Sequence, residues 1–182
     1  MDDRDQAADG ALIRSYLGGD ERAFEELYSR YRRRLYSYLN GLLPGQSALV
    51  DDLYSQTWTR ILEHLPRYHE RQRFLSWAFR IAHNLAMDQF RRQAQVVEVE
   101  LDEQLPAGSR SPGEAMDREA FDAALDRAIR QLSPEQREVV LLRQAGVPFR
   151  EIAQIQDTGI NTVLGRMHYA VGRLQLLLAD YL

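Results

Sequence analysis

No cysteine occurs in the 182 residues. That excludes a disulfide framework, a thiol nucleophile and any thiolate metal site. Lysine is absent too: all 23 basic residues are arginine. A GC-rich genome, whose codons favour arginine, accounts for the total, so only the position of each arginine carries meaning. Where one faces nucleic acid, its planar fork suits phosphates and base edges better than an ammonium does. Histidine is sparse. His64, His69, His83 and His168 are scattered, Pro66 separates the first two, and no HExxH spacing occurs, which argues against a metal site. GxGxxG, P-loop and Ser-His-Asp patterns are missing, so no cofactor and no catalytic residue is expected. No apolar run approaches the ~20 residues that span a bilayer. The opening "MDDRDQAADGALIRSYLGGD" is acidic, unlike a secretory or mitochondrial leader. The expectation is a cytoplasmic protein without membrane insertion that is not an enzyme.

Charge is close to balance, with a net of −4; a protein binding bare DNA by itself is more often basic. The acidic excess is local. Residues 94–117 hold one arginine, Arg110, against Glu98, Glu100, Asp102, Glu103, Glu114 and Asp117. This stretch turns from acidic to rich in Gly, Pro and Ser, and reads as a flexible acidic linker between two small helical domains, residues 1–93 and 118–182. Within it "VVEVEL" alternates as a strand does. No other segment offers a partner strand, so the expected fold is all-α.

Helical periodicity supports that fold. Asp20 can cap a helix reaching Leu43, with Phe24, Leu27, Tyr31, Leu35, Tyr38 and Leu42 as its buried stripe. Ser47 can cap the next, with Leu49, Leu53, Trp58, Ile61 and Leu65 apolar and Pro66 as the stop. After the polar "RYHERQR" a helix is expected from Phe74 to Arg92, with Phe74, Ala78, Ile81 and Leu85 as core. Beyond the linker, "SPGE" (Ser111, Pro112, Glu114) and "SPEQ" at Ser133 are capping boxes. Gly146 and Pro148 end a helix over Pro134–Ala145. Short helices follow over Phe149–Gln156 and from Ile160 to about Tyr181.

Three surfaces invite a functional reading. "EIAQIQDTGINTVLGRM" gives two helices around a three-residue turn, with Ile152, Ala153 and Ile155 facing Ile160, Val163, Met167, Val171 and Leu174. This is either a plain helical hairpin or a helix-turn-helix, whose second helix enters the major groove. Its polar face carries Asn161, Thr162, Arg166, Tyr169 and Arg173. Arg166 can bind guanine bidentately, Asn161 can bind adenine, and the helix start favours phosphate. In "RFLSWAFRIAHNLAMDQFRR" a second face carries Trp77, Arg80, Asn84 and Asp88, preceded by Tyr68, Arg71 and Arg73. Aromatic, guanidinium and amide groups in a row suit single-stranded DNA; core packing is the other reading of Trp77. In "LVDDLYSQTWTRILEHL" the polar side holds Asp51, Asp52, Ser55 and Gln56, near an exposed apolar Leu53 or Trp58. That is either an acidic helix start, favoured by the macrodipole, or a docking surface for a basic protein.

Together these segments resemble bacterial RNA polymerase sigma factors of the extracytoplasmic-function (ECF) group in the sigma-70 family, over about Ala11 to Leu178. "AFEELYSRYRRRLYSYL" looks like the first helix of their N-terminal domain, and "VDDLYSQTWTRIL" is similar to the segment that docks on the polymerase. "FLSWAFRIAHNLAMDQFRR" resembles the helix that melts and reads the minus-10 element. The stretch from "LSPEQREVV" to "MHYAVGRL" resembles the domain that reads the minus-35 element. The resemblance implies a promoter-specificity subunit whose partners are core RNA polymerase, promoter DNA and an anti-sigma factor, and which is a monomer when free. Asp51, Asp52, Leu53 and Gln56 would face the polymerase. Tyr68, Arg71, Arg73, Trp77, Arg80, Asn84 and Asp88 would face minus-10 DNA. Asn161, Thr162, Arg166, Tyr169 and Arg173 would face minus-35 DNA. Ser55-Gln56 stands where the family commonly has Gln-Glu. Asp157 replaces the usual turn glycine, a position Asp tolerates. Gly159 is a weak helix cap. Leu164 and Gly165 stand where a basic residue and Ser are common, so fewer phosphate contacts and weaker minus-35 binding are expected. A helix-turn-helix regulator that acts without polymerase is the rival reading.

Overall fold

Asp20 caps the helix that follows it as expected: its carboxylate accepts a hydrogen bond from the Arg22 amide at 3.1 Å. The structure, a computed structural model, describes residues 3–69, 73–96 and 118–181, and among these every regular element is helical. The N-terminal half comprises α1 (Asp3–Leu17), α2 (Glu21–Leu42), α3 (Ser47–His64) and α4 (Phe74–Val96), with a 3-10 turn at Leu65–Arg67. The C-terminal half comprises α5 (Arg118–Arg130), α6 (Pro134–Gln144), α7 (Phe149–Ile155) and α8 (Ile160–Leu177), closed by a 3-10 turn at Ala179–Tyr181. The expected linker is mostly outside the described residues, as are "SPGE" and Arg71; α4 continues through Val96, past the expected linker start.

The α2 stripe is buried as read, with Leu27, Tyr31, Leu35, Tyr38 and Leu42 all inside and Phe24 half-buried. α1 escaped the sequence reading because its start is acidic and its apolar positions are few. Tertiary contacts hold it: Ile13 is buried, and buried Asp9 accepts hydrogen bonds from Tyr31 and from Arg30, the latter at 2.8 Å. Burying a carboxylate is tolerable only with such partners. Ser47 lies one residue inside α3, and Gln46 takes the cap position without a side-chain bond.

Two stripes differ from expectation. On α4, Leu75, Phe79, Ala82 and Ala86 are buried with Phe74 and Ala78, while Ile81 and Leu85 are only half-buried. This helix packs against α2, α3 and α7 together, so more of its circumference is covered than a surface helix's single stripe. On α8, Val163 and Ala170 are buried, whereas Ile160 and Val171 are each 39% exposed. The covered line runs Val163, Met167, Ala170, Leu174, and both exceptions fall to one side of it.

The helix-turn-helix forms as the sequence predicts. Ser133 caps α6 through the Gln136 amide. Gly146 adopts φ +87° after that helix, and Asp157 adopts φ +47° in the turn before α8. Arg143 braces the bend ahead of α7. It donates to the Val147 carbonyl at 2.7 Å and lies 4.6 Å over the Phe149 ring, a cation–π contact.

The two halves share one apolar cluster. It runs from Leu27, Tyr38, Phe74 and Phe79 to Val139, Leu142, Ile152 and Ile155. α2 packs on α6, and α4 packs on α7. Gly41 permits the first contact: a Cβ there would sit 2.6 Å from Leu141 Cδ2.

Candidate nucleic-acid interface

α4 presents Arg80, Asn84 and Asp88 to solvent at successive fourth positions, which places them on one line of the helix. Asp88 pairs with Arg91. Trp77, upstream on the same side, is half-buried, its ring centroid 5.0 Å from that of Tyr68 and 5.7 Å from that of Phe74. It therefore packs on the domain, as the core reading expected, and keeps an outward surface. Burial pushes the Tyr68 hydroxyl well up, with Asp9 and Glu151 adding to it. Arg73 does not face open solvent: its Nε lies 3.5 Å from Glu151 of α7, to which Ser76 also donates. Arg73, Trp77 and Arg80 line a cleft of about 270 Å³ whose far wall is Glu151, Gln154 and Ile155.

On α8, Asn161, Thr162, Tyr169 and Arg173 are exposed, with Tyr169 at 69%. Arg166 is half-buried; its NH1 donates to Gln156 Oε1 at 2.7 Å. The Gln156 amide in turn donates to the buried Glu138 carboxylate at 2.8 Å. Sequence reasoning missed Gln156 and Glu138, since a lone Gln and a helical Glu read as solvated. A Cβ at Gly165 would meet nothing within 4 Å. Gly165→Ala is therefore expected to stabilise α8 by about 1 kcal/mol in chemical denaturation. Gly165→Arg should add a phosphate contact, visible as a salt dependence of DNA binding steeper by about 1 in log–log slope.

Glu138 is buried between the halves. Its Oε1 accepts from Tyr38 Oη at 2.5 Å and lies 2.7 Å from His83 Nδ1. Burial alone would raise the carboxyl; hydrogen bonds and charge from His83, with hydrogen bonds from Tyr38 and Gln156, outweigh it and hold the group below its ordinary value. A lowered carboxyl contributes stability that is complete above the unfolded value and is lost as pH falls through the folded one. The stability advantage of the wild type over Glu138→Gln should therefore shrink as pH drops below ~4.3, measured by urea titration at stepped pH.

The candidate docking face lies on α3. Asp51, Asp52 and Gln56 are exposed. Asp51 accepts from Tyr36 Oη at 3.0 Å, and Gln56 donates to Asp52 at 2.8 Å. Leu53 and Trp58 correct the sequence reading: they are 3% and 6% exposed and part of the core, because both lie on the inward stripe of α3, so they support this face from beneath. Tyr36 and Tyr54 were missed. Their rings meet edge-to-face at 5.4 Å beside Asp51, and Tyr36 is 39% exposed. Tyr28, Arg32 and Tyr36 recur every fourth residue off the buried stripe, the one signal that could have exposed them. The Tyr36 hydroxyl is raised, first by its hydrogen bond to Asp51. Burial and the Tyr28 hydrogen bond push Tyr54 up to about 12.

Residues 27–96 match sigma-70 region 2, and residues 122–174 match sigma-70 region 4. The ECF RNA polymerase sigma factor BldN of Streptomyces coelicolor is 31% identical over 98% of this chain and 69% of its own length. The chain belongs to the ECF sigma factors. As a member of that family it is a promoter-specificity factor for RNA polymerase. The sigma factor CarQ of Myxococcus xanthus is 29% identical over 91% of this sigma factor and 94% of its own length. Among solved structures, the sigma factor RpoE of Bartonella quintana, in complex with the anti-sigma factor NepR, shares the fold. Its TM-score is 0.68 at 22% identity, covering 86% of this sigma factor and 96% of that chain. No helix among the described residues is long and apolar enough to cross a membrane.

Proposed function

We propose that this sigma factor joins core RNA polymerase in the cytoplasm through the Asp51, Asp52 and Gln56 face, reads minus-35 duplex with α8 and captures minus-10 bases with α4. It performs no catalysis of its own. Asn161, Thr162, Arg166, Tyr169 and Arg173 are the duplex-facing set; Tyr68, Arg71, Arg73, Trp77, Arg80, Asn84 and Asp88 are the set for the melted strand. An anti-sigma factor is the expected negative regulator, and the free form is monomeric.

The observation that carries this reading is the solvent-facing line of Arg80, Asn84 and Asp88 beside Trp77. The three side chains of that line are exposed and take no part in the core. The surface offers a ring to stack on, a cation for phosphate and an amide for a base edge. Unstacking a base costs a few kcal/mol, and stacking returns about 1–3 kcal/mol per base, so melting becomes favourable only where fitting bases emerge. The net charge of −4 fits a factor whose nonspecific attraction to DNA is supplied by the polymerase.

The test is reconstitution with core polymerase and a genomic promoter pool, followed by mapping of transcript starts. Initiation clustered at a shared pair of upstream elements is expected. Failure to join core, or joining without initiation anywhere in the pool, would reject it. Tight duplex binding without polymerase would favour an independent regulator.

A further inference from the structure

The first turns of α8 expose an apolar side chain that packing does not explain. Leu164 is 43% exposed. Val163 and Ala170 are buried and, with Met167 and Leu174, carry the packing of this helix. Leu164 belongs to none of the apolar clusters among the described residues. It stands with Asn161, Gly165 and His168 at the spacing i, i+3, i+4 and i+7, which is one face of a helix. Asn161 and His168 are exposed as well. The open space over Gly165 lets a partner approach the backbone of this face closely.

The face holds no arginine. Between Ile160 and Gly172 the one arginine is Arg166. It lies about 200° around the helix axis from Leu164, is half-buried and donates to Gln156. Base chemistry then limits what the face can read. In the major groove guanine offers two acceptors and suits a forked cation, adenine suits an amide, and thymine alone offers a methyl group. Leucine matches only the methyl, and contact between the two frees both from water. Against cytosine it would strip an amino group of water and give it no partner. Asn161 and Leu164 are ~4.5 Å apart along the axis, and successive bases rise ~3.4 Å, so the two side chains meet neighbouring base pairs.

We infer that Leu164 reads the 5-methyl group of a thymine in the upstream promoter element, beside an adenine held by Asn161, so that this sigma factor selects A·T pairs beneath the start of α8. This rests on the proposed reading of minus-35 duplex by α8. Ile160 and Val171, each 39% exposed, widen the apolar strip on the side away from Asn161. DNA is its occupant because the strip starts in the N-terminal turns of the second helix, the part of a helix-turn-helix that contacts base edges.

The test replaces each thymine of a recognised upstream element, on either strand, by deoxyuridine, which removes the methyl group and keeps the pairing. Initiation is measured with core polymerase at limiting sigma factor. At one position deoxyuridine is expected to weaken wild-type initiation by about fourfold, the effect of one methyl-sized group left unburied. Leu164→Ala should lose a similar factor on the thymine promoter and nothing more with deoxyuridine at that position. Leu164→Arg should prefer guanine there by about fivefold or more. Indifference of the wild type to deoxyuridine at every position would overturn the inference, as would an undiminished deoxyuridine effect in Leu164→Ala. A drop in core polymerase affinity in Leu164→Ala would assign the strip to the polymerase and overturn it too. Scrambling the whole element separates the two levels. If wild-type initiation withstands scrambling, α8 reads no upstream duplex and the proposed reading fails. If scrambling abolishes initiation while deoxyuridine does nothing, only the thymine contact fails.

Discussion

Asn84→Ala is expected to slow open-complex formation by roughly 5- to 150-fold, the effect of losing one base-edge contact of 1–3 kcal/mol, while affinity for core polymerase stays within about twofold, as for a surface change of under 0.5 kcal/mol. Asn84 is exposed and on the same line as Arg80, so removing its amide disturbs no packing. The split between the two readouts is the point. Permanganate footprinting or a fluorescent-base signal reports opening, and a binding titration reports docking. Equal losses in both would mean that the residue acts through the fold. Trp77→Ala should reduce opening as well, but its ring also contacts Tyr68 and Phe74, so that variant loses stability and is the poorer discriminator. Arg80→Ala should weaken binding without regard to sequence and reduce the salt slope by about 1.

Arg137→Ala is expected to destabilise the protein by about 2–4 kcal/mol, from the loss of several charge-assisted hydrogen bonds at a half-buried site, read as a lower urea midpoint. Its guanidinium donates to the Arg130 carbonyl at 2.6 Å, to Leu132 at 3.2 Å and to Ile129 at 3.3 Å, with Leu42 at 3.5 Å. These carbonyls cluster where α5 and α2 end, the ends that carry unpaired acceptors and negative dipole character. One planar cation therefore caps two helices from different halves. Burial and the nearby Arg130 lower its pKa, so the site already bears a desolvation cost that the carbonyls offset. Arg137→Lys should recover less than half the loss, because a point charge cannot spread donors across four carbonyls. Full recovery by Lys would show that charge alone matters there.

Local pattern made much of this protein legible. The spacing of Leu27, Tyr31, Leu35 and Tyr38 fixed the inward face of α2, since a 3.6-residue period leaves one choice of face. Ser133, Gly146 and Asp157 marked helix ends because cap chemistry and positive φ are properties of single residues. The exposed line of α4 and the polar face of α8 were likewise visible, as were Asp51 and Asp52. Leu53 was placed outward in error: a motif names neighbours in sequence, and adjacent helical residues point about 100° apart.

Residue spacing was enough to give an all-helical chain with a helix-turn-helix near its end and polar residues in line on two of its helices, because each of those properties repeats within a few residues. Contacts between distant elements were needed to bury particular charges. Glu138 reads as an ordinary solvated helical acid, yet its partners stand 55 and 100 residues away. Gly41 reads as a flaw in a helix, yet it is where another helix comes closest. Such contacts arise only when separate elements meet, and no local periodicity records them.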